Sequence, residues 1–356
     1  MTIFYIILTL IVLIILHELG HFLLAKRYGV KVEEFGVGIP PRIWGKKIGE
    51  TIYSINWIPL GGFVRLYGED RSINDERSFS TKPIYQRALI VFGGIAAFFV
   101  VAAVVFSAYS FVGVRTVVSE EDMQTGDFSD EQVVIAHVLE QSPAGEAGVE
   151  AGDIIKEVEG SSVKNSSEVI SLIQESEGEE MEFKVDRGGK EVSLFIAPKQ
   201  EYEVEEGAVG IMMLSTAEKS YPLYYAPVKG VLLTKDTTWM VVSGFGTLIK
   251  SAVTRSSLPA GMEVGGPVAI VQIGAGAFDR GFSEFLYFVG LITISLAVVN
   301  AFPIPALDGG RLVFLAVEKI KGSPVSEKIE QRMAATSFVL LIALMIFITF
   351  KDLGMF

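Results

Sequence analysis

His17-Glu18-Leu19-Gly20-His21 reads HExxH, and it lies inside an unbroken apolar stretch over residues 3–25. Residues four apart share one face of a helix, so both imidazoles can reach a single cation. Glu18 then stands beside that cation's open position, where a carboxylate takes a proton from water. Ile11-Val12-Leu13-Ile14-Ile15-Leu16 before the motif and Phe22-Leu23-Leu24 after it read as a membrane span. An ionisable residue at the centre of such a span costs roughly 2.5–3.5 kcal/mol, so these side chains are read as functional rather than incidental. The conjunction points to hydrolytic chemistry inside a bilayer.

Half of the 356 residues are hydrophobic, and the mean hydropathy of +0.45 is high for a water-soluble domain. Cysteine is absent, so no thiolate can bind the cation. The net charge is −12, and residues 113–280 hold 28 acidic against 13 basic side chains. So acidic a chain is a poor fit for nucleic acid, and no nucleic-acid partner is expected.

Four stretches are long and apolar enough to cross about 30 Å of hydrocarbon: residues 3–25, 88–112, 285–302 and 333–350. The first lacks the basic start and small-residue cleavage site of a signal peptide, so it is read as a retained span. Lys26, Arg27, Lys31, Arg42, Lys46, Lys47, Arg65 and Arg87 fall between the first two spans, and Arg311, Lys319, Lys321, Lys328 and Arg332 between the last two. The positive-inside rule makes both connections cytoplasmic, with the termini and the long acidic segment outside.

A catalytic zinc site needs three protein ligands, and the chain has one other histidine, His137, in the outer segment. The third ligand is therefore expected to be a carboxylate near a span on the cytoplasmic side. Asn300-Ala301-Phe302-Pro303-Ile304-Pro305-Ala306-Leu307-Asp308-Gly309-Gly310 supplies one in Asp308. Alone, Asp308-Gly309 would be read as a turn; its pairing with HELGH makes it a ligand candidate. Pro303 and Pro305 stop regular helix, and Gly309-Gly310 is expected to allow a tight turn.

HELGH in the first span with NAFPIPALDGG after the third resembles the site-2 protease family of intramembrane zinc metalloproteases, in particular its bacterial, RseP-type branch. The resemblance implies Zn2+ held by His17, His21 and Asp308, with Glu18 as the base that activates water. It implies substrate contact for Asn300. It also implies a transmembrane protein substrate, such as an anti-sigma factor or a remnant signal peptide, and a place in the bacterial cytoplasmic membrane.

Between the first two spans, residues 35–39 and 51–58 alternate as strands do, and Gly61-Gly62-Phe63-Val64-Arg65-Leu66 reads as a further short strand. This resembles the family's re-entrant β-loop. A strand edge there, at Gly62, Phe63 and Val64, is expected to hold substrate straight; an ordinary cytoplasmic sheet is the alternative. Residues 69–77 read as a solvated loop.

In the outer segment, strands are expected at 133–138, 153–158, 181–185 and 192–197 and a helix at 167–175. Ser142-Pro143-Ala144-Gly145-Glu146-Ala147-Gly148-Val149 with Ala151-Gly152-Asp153-Ile154-Ile155 is similar to bacterial PDZ domains, and one such domain is placed at about 132–200, with a peptide ligand as a partner. The RseP-type branch carries tandem PDZ domains; one is visible here. His137 is assigned to this domain with no metal role. Residues 226–253 read either as a helix lying on the membrane or as one packed on the outer domain, and 261–268 as a glycine-rich hinge.

The expected fold is an α-helical membrane protein with four transmembrane helices, a re-entrant β-loop and an extracytoplasmic PDZ-like α+β domain. Its sections are 1–112, 113–200, 201–280 and 281–356. Two other functions compete with proteolysis: a membrane metal-binding or transport protein, and a catalytically inactive PDZ adaptor. Transporters favour repeated spans, and no internal repeat is visible. Inactive relatives would be expected to lose a ligand or the base.

Overall fold

Apolar residues fill every face of the first helix, α1 (Thr2–Arg27), which ends on Lys26 and Arg27. A computed structural model describes residues 2–69, 73–118, 128–139, 141–200, 207–254, 256 and 265–354. Along the chain follow β1 (Val32–Ile48), β2 (Thr51–Leu66), α2 (Ile84–Val112), β3 (Val114–Val117) and β4 (Ser129–Val138). Next come α3 (Pro143–Glu146), β5 (Ile154–Val158), β6 (Ser161–Ser162), α4 (Ser166–Glu175), β7 (Met181–Arg187), β8 (Lys190–Ile196) and β9 (Ile211–Lys219). The last helices are α5 (Ala226–Thr254), α6 (Pro267–Arg280), α7 (Phe282–Ala301), α8 (Asp308–Lys321) and α9 (Glu327–Asp352). Among the described residues, helices α1, α2, α7 and α9 are the four long and apolar enough to cross a membrane, as the sequence suggests.

The chain forms two compact units. The first is Met1–Ser107, Val228–Phe278 and Phe285–Phe356; the second is Ala108–Pro227 with Asp279–Glu284. In the first, Leu13, Phe98, Phe288, Val289 and Ala297 bring α1, α2 and α7 together, with Ala277 of α6 among them. Lipid tails are as apolar as these side chains, so close packing rather than expulsion of water holds such helices together. α1 and α2 approach closely at Gly20 and Gly93: a Cβ on Gly20 would overlap the Gly93 carbonyl oxygen and stand 2.9 Å from Ala97 Cβ.

β1 and β2 each bend and together make four strand segments. Phe35, Gly36 and Val37 face Val64, Phe63 and Gly62 on one side and Tyr53, Ser54 and Ile55 on the other, while Lys46 and Lys47 pair with Tyr53 and Ile52. Residues 62–65 thus form an edge, with no strand on their other side among the described residues. Buried Glu34 stitches the four segments. It accepts from Ser54 Oγ (2.7 Å), pairs with Arg42 (2.7 Å) and lies 3.5 Å from Arg65. A buried carboxylate is stable only when so satisfied. Val32, Leu66 and Val64 pack on Ala25, Phe22 and Ile90, which seats the sheet on the end of α1.

Residues 74–77 form the expected exposed loop, and Glu69 is the exception. Glu69 is largely covered and pairs with Arg311, and the Lys31 amide donates to the Arg77 carbonyl; Asp70, Arg71 and Ser72 lie outside the described residues. Gly309 and Gly310 do not form a tight turn; they begin α8. A Cβ on either would collide with the carbonyl oxygens of Ala301, Phe302 or Ile304, so glycine here serves close backbone approach. Of the expected hinge, 261–264 lie outside the described residues, and Pro267 already begins α6, whose first amides at Gly266 and Ala269 donate to the Asp352 carboxylate. α5 packs on α2 within the first unit: a Cβ on Gly230 would meet Ser107 and the Ala103 carbonyl.

The second unit is a seven-stranded sheet in the order β3-β9-β4-β5-β7-β8, with β6 on β5. Its core joins Val133, Ile135, Ile155, Phe183, Val185 and Ile196 to Val169 of α4. Ser142 and Asn165 cap α3 and α4 through their side-chain oxygens. The sheet takes in β3 and β9, on either side of the segment expected at 132–200, because β9 pairs with β4 from Ser129↔Glu218 to Val138↔Ile211.

Candidate metal centre

His17 and His21 project from one face of α1, as their spacing requires. Asp308 reaches them from the first turn of α8. Their donor atoms form an equilateral triangle: His17 Nε2 to His21 Nε2, His17 Nε2 to Asp308 Oδ2, and His21 Nε2 to Asp308 Oδ2 are each 3.3 Å. All three side chains are at least 86% covered.

The surroundings prepare these atoms for a cation. His21 Nδ1 lies 2.9 Å from the Ile90 carbonyl oxygen. A proton on Nδ1 donated there leaves the Nε2 lone pair facing the triangle. His17 stacks on Phe98, with ring centroids 4.6 Å apart. Asp308 Oδ2 is buried without a hydrogen-bond donor among the described residues, an arrangement that is costly unless something positive shares the site. Two nitrogens and one carboxylate oxygen are a common donor set for catalytic zinc. A 3.3 Å triangle is also one face of a tetrahedron with a centre-to-corner distance of about 2.0 Å, the length of zinc–nitrogen and zinc–oxygen bonds. The donor set therefore fits zinc.

Glu18 is adjacent in sequence, and its charged surroundings are His21, Asp308, Glu69 and Arg311. The edge strand passes beside it: a Cβ on Gly62 would stand 3.2 Å from Glu18 Cγ and 3.5 Å from Ile14 Cγ2. Phe63 covers Gly36 and carries Arg65 over its ring at 5.7 Å, and Val64 packs inward on the core of α1 and α2. The Asn300 amide donates to the Leu296 carbonyl of its own helix (2.9 Å). His137 lies in β4 opposite Met212, in the second unit, and is not part of the His17–His21–Asp308 group.

The profile of peptidase family M50 matches residues 5–344. The chain belongs to that family, the site-2 protease family anticipated from HELGH and LDG. A putative zinc metalloprotease of Clostridium perfringens is 32% identical over 346 residues, covering 96% of this chain and 95% of the relative. One from Synechocystis is 33% identical over 357 residues, 96% and 92% of the two chains. Zinc metalloprotease RasP of Oceanobacillus iheyensis is 26% identical over 430 residues, 96% of each.

Two features of the M50 site escape a reading of motifs. Gly94 of α2 lies against both imidazoles: a Cβ there would overlap His21 Nε2 and stand 2.5 Å from His17 Cε1 and 2.6 Å from His21 Cε1. The adjacent Gly93-Gly94 in an otherwise apolar span was the available signal, since small residues mark close helix approach. The second is the Arg311–Glu69 ion pair, which ties the turn carrying Asp308 to the end of the edge strand. Nothing in the sequence links two residues so far apart.

Proposed function

We propose that this chain is an intramembrane zinc endopeptidase that cleaves the membrane-spanning segments of single-span proteins. The observation that carries the proposal is the 3.3 Å triangle of His17, His21 and Asp308 with Glu18 beside it, on an apolar helix long enough to span. His17, His21 and Asp308 hold the metal. Zinc, when bound, supplies Lewis-acid chemistry, polarising a carbonyl oxygen and making water more acidic. Glu18 accepts the proton of the attacking water and returns it to the leaving amide nitrogen. Membership in family M50 and the names of the relatives support the assignment.

The edge strand adds the means to hold substrate. A helix entering from the bilayer must be unwound before its amide bonds can be reached, and a strand edge satisfies the freed backbone groups. Gly62, Phe63 and Val64 lie on that edge, and the lack of a side chain at Gly62 leaves room beside Glu18. Asn300 has a second amide hydrogen besides the one given to Leu296, and we assign it to substrate. Exposed Ile39, Ile43, Trp44 and Trp57 on the far segments of β1 and β2 suit a re-entrant loop dipping into lipid.

Lysine and arginine in the connections α1–α2 and α7–α9 support a cytoplasmic side there. The acidic second unit and both termini are then extracytoplasmic, in a bacterial cytoplasmic membrane. We read that unit as PDZ-like, admitting shortened substrates such as cleaved anti-sigma factors or remnant signal peptides. Among the described residues β9 has no strand beside 211–214 on the side away from β4, and a peptide ligand would add a strand there.

The test is proteolysis by purified protein of a single-span substrate, wild type beside Glu18→Gln. We expect cleavage inside the span, and a loss of at least about a hundredfold in the variant with zinc retained. Wild-type rates in Glu18→Gln would sink the assignment.

A further inference from the structure

A cavity of about 290 Å³ opens within one turn of Asp308, between the end of the edge strand, α2, α8 and the start of α9. Among the described residues its charged lining is Glu69, Arg87, Arg311, Glu318, Glu327 and Glu330. Arg87 is held by Glu318 through two bonds, 3.0 and 2.5 Å long, and Arg311 is paired with Glu69. Both guanidinium groups are thus neutralised by the wall itself. Among the described residues four carboxylates face two cations, and Glu330 makes no ion pair there. A concave site lined by a net negative charge concentrates cations. An anion entering it would meet two arginines already engaged and the unpaired carboxylate of Glu330.

The position suggests which cation. Gly68 and Glu69 on the cavity wall directly follow the edge strand that passes Glu18 at Gly62. A chain laid along that edge advances about 3.3 Å per residue. A side chain about four to six residues from the bond held at Glu18 therefore arrives at the cavity mouth. This wall belongs to the lysine- and arginine-rich side of the first unit, where a membrane-spanning substrate also carries its own basic flank. We propose that the cavity receives a lysine or arginine from the cytoplasmic flank of the substrate, so that it fixes the position of the cut by charge. The inference rests on the protease reading above and adds a specificity determinant to it.

The experiment uses full-length protein and purified single-span substrates in detergent, which removes any effect of flank charge on membrane insertion. Three substrates share one apolar span and carry lysine, alanine or glutamate at the cytoplasmic flank. The lysine flank should be cleaved about fivefold more efficiently than the glutamate flank, the factor that ~1 kcal/mol of charge pairing gives, mainly through KM. Added salt should shrink the ratio, and Glu330→Lys should abolish or invert it. Comparing the ratio within each variant cancels differences in folded fraction. Equal cleavage of all three flanks by the wild type, or an unchanged ratio in Glu330→Lys, overturns this inference alone. Absence of cleavage for all three overturns the protease reading and this inference with it.

Discussion

Gly94→Ala should weaken zinc binding although residue 94 is not a ligand. The new methyl group would start 2.5 Å from His17 Cε1 and 2.6 Å from His21 Cε1. Carbon atoms prefer about 3.5–4.0 Å, so each ring must retreat by about 1 Å. Neither ring moves freely. His17 is stacked on Phe98, and His21 is tied to the Ile90 carbonyl. A zinc site tolerates displacements of only about 0.2 Å in its bond lengths. The expected cost matches that of disturbing the supporting groups of a metal site, about ten- to a hundredfold in affinity. That range is ~1.4–2.8 kcal/mol, within what overpacking one methyl group costs. The assay is competition for zinc between purified protein and a chelator of known affinity. Gly244→Ala on α5, where a Cβ meets nothing within 4 Å, is the control and should bind as the wild type does. Wild-type zinc affinity in Gly94→Ala would refute the argument that the α2 backbone sets the imidazole positions.

Gly62→Val should lower kcat more than zinc content, because its side chain would press on Glu18 from 3.2 Å while leaving the three ligands untouched; metal analysis beside a cleavage assay separates the two. Lys26 and Arg77 donate to Glu50 and hold its carboxyl at about 2, below its ordinary 4.5. A depressed carboxyl stabilises the fold above pH 4.5, and that contribution disappears as pH falls from about 4.5 towards 2. Melting temperature should thus fall less steeply over that interval in Glu50→Gln than in the wild type. Asp352→Ala removes the acceptor for the Gly266 and Ala269 amides and should destabilise the start of α6 by about 1 kcal/mol, seen as faster amide exchange at Ala269.

The His17–His21–Asp308 group was legible because metal chemistry imposes its parts locally. Two imidazoles on one helix face need a four-residue spacing, and a charge inside an apolar span needs a reason to be there. The four helices long and apolar enough to cross a membrane were legible by length and hydropathy alone. α8 was not, since Gly309 and Gly310 oppose helix by about 1 kcal/mol each and only their packing on the Ala301–Ile304 carbonyls reverses the preference. β3 and β9 were not, because their strand character comes from pairing partners far away in sequence, such as Val134 with Leu214. The sheet was visible as strands with an edge at 62–64, but not the buried Glu34 that gathers Arg42, Ser54 and Arg65 around it, since those partners lie up to 31 residues away.

We propose that His17, His21 and Asp308, from two separate helices, grip one zinc ion. Zinc-edge X-ray absorption on purified wild type and Asp308→Ala tests it most directly. The expected result is one zinc per wild-type chain, with two imidazole nitrogens and a carboxylate oxygen at about 2.0–2.2 Å, and loss of that oxygen with weakened binding in the variant. Zinc held equally well in both proteins, with the same coordination shell, would contradict it.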